Sequence, residues 1–284
     1  MQWRDVLEIS RFQNLILAAL TVPLGAHIAL DGLWSYDSGL NVLLAMLSVM
    51  AFMAAGNILN DIADNNIDKE AHPNRVIPSG RMSIKQAKSL TQVFSLLSLI
   101  LLAILSWRNS YWPLIAIWLT AAVLMLTYDH GPQTKKNGLA GNISISLMVG
   151  AVILFGAAAV RSMDSQLIWY AAGVAMLANL AREIIKDCED VESDADRNTL
   201  PMRIGLAKSR NVAYVIICFS LILLYLPHWL GPLQFWQLLL QTPAIMMLIT
   251  LGTPLLNGEY YSAQQRIRMA MLLGLISFAA AVSI

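Results

Sequence analysis

Long apolar runs recur along the whole chain and are separated by short polar segments. Each run is close to the length of about 20 residues that a helix needs to cross a bilayer. The runs show no alternation of polar and apolar positions, so the pattern favours helices over barrel strands. The sequence therefore predicts an all-α, multi-pass membrane protein with nine transmembrane helices, at 12–30, 39–60, 86–106, 111–128, 139–159, 166–186, 209–227, 238–256 and 265–283.

The composition agrees with this pattern. Hydrophobic residues make up 57% of the chain and charged residues 13%, whereas soluble domains carry about 25% charged residues. The first apolar run is too long for the core of a signal peptide and lacks a clear cleavage site, so we interpret it as a retained span. The sequence predicts a single membrane domain that covers 1–284.

The basic residues are divided unequally between the two ends of the predicted helices. Of the 19 Lys and Arg residues, only Arg108 and Arg161 fall at the ends opposite the N-terminus. By the positive-inside rule, the N-terminus and the long polar loops lie in the cytoplasm. We therefore predict a cell-membrane protein, surrounded by membrane lipids, with its functional site on the cytoplasmic face. The net charge of +1 gives no general attraction for nucleic acid, and no nucleic-acid partner is predicted.

Two polar loops carry the same carboxylate pattern, D-x-x-D-x-x-x-D, after the second and the sixth predicted spans. The two loops lie four spans apart and therefore emerge on the same side of the membrane. This arrangement predicts a tandem pseudo-repeat of spans 1–4 and 5–8, with the ninth span as an addition. The two motifs consist of Asp61, Asp64 and Asp68, and of Asp187, Asp190 and Asp194.

The spacing of each motif has a geometric meaning if the helices continue past the membrane surface. At about 100° per residue, three such positions form one stripe on a helix. Asn57 and Glu183, each four residues before a motif, extend the stripes inward. Carboxylates on one face repel each other unless a positive charge lies between them. Because clusters of oxygen ligands without thiolates suit hard cations, the six aspartates are predicted to bind Mg²⁺ and to act as catalytic residues.

Basic side chains near both motifs indicate a polyphosphate ligand. Since the surrounding helices are apolar, the ligand is predicted to be a prenyl diphosphate, with an anionic head and a long apolar tail. Asn14, inside the first span, either lines this site or is a polar residue of helix packing. Glu183 and Arg182 either belong to the site or pair only with each other. The remaining predicted substrate-binding residues are Asn57, Arg75, Lys135, Lys136, Lys186 and Arg197.

A cation-coupled transporter is an alternative from another class, because carboxylates within a membrane also mark ion paths. The carboxylates of this chain, however, cluster at one membrane surface and not at the midplane. The pattern therefore favours a Mg²⁺-dependent transferase over a transporter.

The segments NILNDIADNNIDKEAHPNRVIPSG and REIIKDCEDVESD, together with nine spans over the whole chain, resemble the UbiA-type membrane prenyltransferases. That resemblance implies nine helices around a central cavity, Mg²⁺ on the two aspartate motifs, and transfer of a prenyl chain from its diphosphate. The family often has Arg-Pro-x-Asn in its first helix, and this chain has Arg11, Phe12, Gln13 and Asn14 there. It often has Pro after the arginine that follows the first motif, where this chain has Val76.

Three stretches are most similar to the archaeal-type branch of that family: REIIKDCEDVESD, KKNGLAGNISIS and TLPMRIG. This similarity implies transfer of a geranylgeranyl chain to a glycerol phosphate ether acceptor, geranylgeranylglyceryl phosphate, in ether lipid synthesis. An aromatic acceptor such as 4-hydroxybenzoate, homogentisate or a naphthoate remains open, because the sequence does not show acceptor contacts directly.

Overall fold

The computed structural model describes residues 2–192 and 198–284, and the regular elements in these ranges are helices. Two 3₁₀ turns, Thr134–Asn137 and Phe235–Gln237, lie between them. The α-helices are α1 (Trp3–Ile9), α2 (Phe12–Ala29), α3 (Tyr36–Ala63), α4 (Asn65–Ala71), α5 (Ile84–Asn109), α6 (Trp112–Asp129), α7 (Leu139–Ala159), α8 (Gln166–Glu189), α9 (Leu200–Ile204), α10 (Leu206–Trp229), α11 (Leu238–Ile249), α12 (Gly252–Leu256) and α13 (Tyr260–Ala281).

The predicted all-α, multi-pass class is confirmed. Within the described ranges, eight helical segments are long and apolar enough to cross a membrane. They are α2, α3, α5, α6, α7, α8, α10 and the segment Phe235–Leu256. The ninth predicted span corresponds to α13, which has 22 residues but carries Gln264, Arg266 and Arg268 near its start. The count of nine is therefore approximate.

The eighth span is broken between α11 and α12, where the sequence predicted one continuous run. Pro254 lacks the N–H that would bond to the carbonyl of Thr250, so the α-helical ladder is interrupted there. The guanidinium of Arg266 donates to the Thr250 carbonyl oxygen at 3.4 Å, and Arg210 donates to that of Leu255 at 2.9 Å. Basic side chains thus satisfy carbonyls that the broken helix leaves open.

The helices α2 and α7 pack closely against each other, and their neighbours pack in sequence order. The pairs α2–α3 and α3–α5 contact each other in the first part of the chain, and α7–α8 and α8–α10 in the second. This order is what a four-helix repeat would give, and the pseudo-repeat stays a prediction. The helices α5 and α6 bury only 17% and 11% of their most apolar windows, so they present most of their surface to lipid.

The helix ends decide where the polar groups lie. The helix α3 has 28 residues and ends at Ala63, and Asp64 (φ −88°, ψ 0°) joins it to α4. The chain therefore stays close to helical through the first motif, as the stripe requires. The helix α8 likewise continues to Glu189, so Asp187 lies on its last turn.

Candidate active site

The first aspartate motif lies at the junction of α3 and α4. Asp61 is on the last turn of α3, Asp64 forms the junction, and Asp68 is on α4. Asp61 and Asp68 are buried, with 7% and 3% of their surface exposed, and Asp64 is half-buried. Three carboxylates with so little access to water need positive partners close by.

Each of these three carboxylates has a basic partner from a different part of the chain. Arg11 donates to Asp61 at 2.8 Å, and the Lys135 ammonium donates to Asp64 at 2.6 Å. The guanidinium of Arg75 donates to both carboxylate oxygens of Asp68, at 2.8 and 2.7 Å. These ion pairs offset the repulsion along the stripe.

Lys135 and Asn60 join the first motif to a further carboxylate, Asp129 at the end of α6. The Lys135 ammonium donates to Asp129 at 2.8 Å, and the Asn60 amide donates to Asp129 at 2.9 Å and to Asp64 at 3.1 Å. Asp129 has 3% and Lys135 8% of its surface exposed. A cavity beside this group is lined by Ala63, Asp64, Ile67, Asp129, Gln133, Lys135 and Lys136.

The second aspartate motif lies at the end of α8. Asp187 is buried and accepts a hydrogen bond from the Asn142 amide of α7 at 2.7 Å. Asp190 follows the last residue of α8 and is half-buried. Asp194 and Arg197 lie outside the described residues. One turn before Asp187, Arg182 pairs with Glu183 and also donates to the Asn179 side-chain oxygen at 3.2 Å, so the predicted pair is present but is not exclusive.

The segment 134–142, here called the lysine loop, runs from the 3₁₀ turn Thr134–Asn137 into the first turn of α7 and connects the two motifs. Its Lys135 reaches Asp64 of the first motif, and its Asn142 reaches Asp187 of the second. Its backbone also contacts the chain after the second motif, because the Lys136 carbonyl accepts a hydrogen bond from the Asn198 N–H at 3.0 Å. A Cβ at Gly138 would lie 2.5 Å from the Asn198 carbonyl oxygen, so only glycine permits this approach.

The other predicted site residues lie around this centre. The Asn57 amide donates to the carbonyl of Ser10 at 2.8 Å and so supports the turn that carries Arg11. Asn14 is exposed on the first turn of α2. The side chains of Lys136 and Lys186 are exposed near the lysine loop and the end of α8.

Sequence reasoning did not assign four residues of this arrangement: Arg11, Asn60, Asp129 and Asn142. Arg11 begins the segment that the family often has as Arg-Pro-x-Asn, which was a signal for it. Asn142 lies within KKNGLAGNISIS, a stretch already singled out for its similarity. Asp129 lies only six residues before Lys135 but belongs to no motif, so nothing in the sequence marked its role.

The donor chemistry of the motifs fits a hard cation, because the aspartates offer only oxygen atoms. Across residues 2–192 and 198–284, no three His, Cys, Asp or Glu side chains lie close enough together to hold a metal ion. The physical reason at the first motif is that Asp61, Asp64 and Asp68 are each turned towards a basic partner. A cation that binds there must therefore replace these ion pairs.

Comparisons with known proteins give matches over almost the whole chain. The model of the UbiA prenyltransferase family matches residues 15–276. Digeranylgeranylglyceryl phosphate synthase of Methanopyrus kandleri is 32% identical over 283 residues, which cover 98% of this chain and 99% of that protein. The enzyme of the same name from Methanosarcina mazei is 32% identical, with 98% of each chain covered.

Solved structures share the fold. A digeranylgeranylglyceryl phosphate synthase structure superposes with a TM-score of 0.80 and 27% identity, and 98% of each chain is covered. A UbiA homolog from Archaeoglobus fulgidus, solved with GPP and Mg²⁺, superposes with a TM-score of 0.67 and 16% identity, over 99% of this chain and 100% of that one. At that identity the second likeness indicates the fold alone.

Proposed function

Because the chain belongs to the UbiA prenyltransferase family, we propose that this membrane enzyme transfers a geranylgeranyl group from geranylgeranyl diphosphate to geranylgeranylglyceryl phosphate, in ether lipid synthesis. The observation that carries the proposal is the meeting of both aspartate motifs at the lysine loop. The relatives named digeranylgeranylglyceryl phosphate synthase support the choice of substrates. Membership of this family also favours prenyl transfer over the alternative of a cation-coupled transporter.

Mg²⁺ is the proposed cofactor. Support comes from the oxygen-only donor set and from the Archaeoglobus fulgidus homolog, which was solved with GPP and Mg²⁺. When bound, Mg²⁺ supplies positive charge to the diphosphate that leaves. The residues that would hold it are Asp61, Asp64, Asp68, Asp187, Asp190 and Asp194.

The basic residues of the chain would then bind the diphosphate itself. Arg11, Lys135 and Arg75 now neutralise three aspartates, and each would turn to phosphate oxygens once a divalent cation takes its carboxylate. Arginine is suited to this exchange because its planar guanidinium binds carboxylate and phosphate in the same manner. Lys136, Lys186 and Arg197 would add further positive charge, and Asn14 and Asn57 would complete the polar lining.

The reaction requires a cavity that excludes water, and it needs little acid–base catalysis. The C–O bond between the allylic carbon and the diphosphate breaks, and the acceptor hydroxyl oxygen forms the new ether bond. The hydroxyl proton is released as the ether forms. Because the allylic cation reacts readily with water, the apolar helices around the prenyl chain protect it by excluding water.

The balance of charge favours an acceptor with its own phosphate. The cytoplasmic segments 61–88, 128–138 and 182–210 contain 13 Lys and Arg and 12 carboxylates. Six of these carboxylates are assigned to metal, so positive charge exceeds the remaining negative charge once Mg²⁺ is bound. An aromatic acid would use less of this charge than a phosphate does.

The test compares three acceptors side by side with geranylgeranyl diphosphate as donor. Geranylgeranylglyceryl phosphate is expected to accept the chain, and its dephosphorylated form to react much more slowly. Prenylation of 4-hydroxybenzoate without reaction of the phosphate lipid would contradict the ether-lipid proposal and leave prenyl transfer standing.

The proposed face of the membrane is the cytoplasmic side of the cell membrane. In a background without Cys188 and Cys218, a cysteine at Lys136 should react with an impermeant thiol reagent only from the cytoplasm. A cysteine at Tyr36, which is 87% exposed at the start of α3, should react only from outside. The opposite pattern would place the site on the other face.

A further inference from the structure

The end of α6 carries a buried carboxylate that belongs to neither aspartate motif. Asp129 accepts hydrogen bonds from the Lys135 ammonium at 2.8 Å and from the Asn60 amide at 2.9 Å, both at the same oxygen. Asp64 accepts from the same two donors, at 2.6 and 3.1 Å. Lys135 and Asn60 therefore bridge two carboxylates, and the four side chains form a closed ring.

We propose that Asp129 is a positioning residue, which keeps the Lys135 ammonium paired in the site so that Asp64 is released to bind a divalent cation. This inference rests on the proposed function, since it assumes that Asp64 becomes a metal ligand.

The electrostatics of the ring support this role. The Lys135 side chain has 6% of its surface exposed, so a lost carboxylate partner would leave the ammonium poorly solvated. With Asp64 as its single partner, the ammonium would be left unpaired when Asp64 turned to a metal before the diphosphate is bound, and a buried unpaired charge is strongly unfavourable. With Asp129 present, Lys135 keeps a partner in both states.

The placement of Asp129 suits a counter-ion better than a metal ligand. Its side chain is 3% exposed, whereas that of Asp64 is 13% exposed, so Asp64 is the more accessible of the two carboxylates to an entering cation. Asp129 also lies on α6, whereas Asp64 lies where α3 meets α4, so Asp64 can shift without moving it.

The test is a double-mutant cycle that measures Mn²⁺ binding to the purified full chain in detergent, by electron paramagnetic resonance of free Mn²⁺. Mn²⁺ is used because it prefers oxygen ligands, as Mg²⁺ does. Asp129→Asn should weaken Mn²⁺ binding about tenfold in the presence of Lys135, because the ammonium then competes for Asp64 alone. In a Lys135→Gln background the same change should weaken binding by about twofold or less.

Equal losses in both backgrounds would show that Asp129 is itself a ligand and would overturn the inference. A wild-type chain that binds no Mn²⁺ would overturn the proposed metal site and this inference with it, so the two failures are distinguishable. Asp129→Glu keeps the negative charge that Asp129→Asn removes, and this variant should bind Mn²⁺ within about twofold of wild type.

The matched control is Asp37→Asn, at the opposite end of the bundle, where Asp37 pairs with Arg108 at 3.2 Å. Its Mn²⁺ affinity should equal that of the wild type. If Asp129→Asn does not fold, Asp129→Ser takes its place in the same cycle, with the same pair of outcomes.

Discussion

The contact between α2 and α7 and the junction of the aspartate motifs use opposite means to hold helices together. Between α2 and α7, backbones approach directly: a Cβ at Gly25 would lie 2.5 Å from the Ile153 carbonyl oxygen, and one at Gly156 would collide with that of Val22. At the motif junction, charged side chains hold segments together through ion pairs such as Arg11–Asp61. The first contact depends on glycines that let two backbones approach, and the second depends on charged side chains.

This difference separates stability from chemistry. Close backbone packing tolerates no added atoms, but it presents no group that could react. The ion pairs can exchange partners, because each aspartate could accept a metal and each cation a phosphate. We therefore expect substitutions between α2 and α7 to affect folding, and substitutions at the junction to affect turnover.

The largest effect is expected from removal of a motif aspartate. Asp61→Ala or Asp187→Ala should lower turnover by about a thousandfold or more, as for other groups that stabilise developing charge. Asp61→Ala should leave the protein folded in detergent, because the Arg11 side chain that loses its partner is 38% exposed. Steady-state rates and a thermal unfolding curve measure both points, with Asp37→Ala as the control. Near-normal rates in both variants would contradict the assignment of the motifs.

The next largest effect is expected at the contact between α2 and α7. Gly156→Val should destabilise the protein by about 1–3 kcal/mol or prevent folding, because the α2 backbone cannot move away freely. The matched control is Gly39→Val, where a Cβ has no heavy atom within 4 Å. Detergent-solubilised thermal stability and gel-filtration profiles give the readout. Equal stability of the two variants would show that the close α2–α7 approach is not required.

The fold could be predicted from the sequence to a large extent because membrane helices depend on one local property. An apolar run near Leu139–Ala159 must be helical in lipid whatever its neighbours are, and the observed helix has the predicted bounds. The break near Thr250 was missed because a proline in a membrane helix can be accommodated or can interrupt it, depending on tertiary contacts. The α2–α7 contact was also missed, since isolated glycines do not reveal their partner helix.

The candidate site was predicted in part, for a related reason. The aspartates were singled out because the same spacing occurs in two segments of the chain, after the second and the sixth predicted spans. Arg11 was not assigned because its partner Asp61 lies 50 positions away in the chain. Asp129 lies near Lys135 in the chain, but its second partner, Asn60, is 69 positions away. Spacing along one helix can be read from a sequence, whereas a contact between distant segments requires the packed structure.

A smaller effect distinguishes the charge of Arg11 from its backbone conformation. Arg11 has φ 54° and Arg161 has φ 59°, both in the left-handed region. Arg11→Gln should lower turnover about 10- to 100-fold, because hydrogen bonds to charged groups contribute about 1.5–3 kcal/mol. Arg161→Gln retains the same kind of backbone strain, lies exposed after α7, and should leave turnover unchanged. Equal losses in the two variants would assign the effect to the backbone.

The smallest effect concerns the ion pair that ties α1 to the loop after the first motif. Arg81 donates to both oxygens of Glu8, at 2.7 and 2.6 Å, and to the carbonyl of Asn74 at 2.8 Å, next to Arg75. These hydrogen bonds from Arg81 lower the pKa of Glu8 below its usual value of 4.5. A carboxyl group with a lowered pKa stabilises the folded state above its unfolded pKa, and this contribution is lost as the pH falls through the folded pKa.

Glu8→Gln should therefore lower the melting temperature slightly at pH 7, by about 2 °C or less, because the Glu8 side chain is half exposed and water screens the pair. The difference from the wild type should shrink as the pH falls below 4.5 and through the lowered pKa of Glu8, because the wild-type carboxyl is then protonated as well. Melting curves of both proteins from pH 7 to pH 3 measure this, with Glu70→Gln as a control for an exposed glutamate on the same face. A difference that persists or grows towards pH 3 would show that Glu8 acts by packing and not by its charge. The ion pair at Arg81 would then be a consequence of how α1 packs on the loop. Of the two neighbouring arginines, only Arg75 would then belong to the ion pairs that can exchange partners.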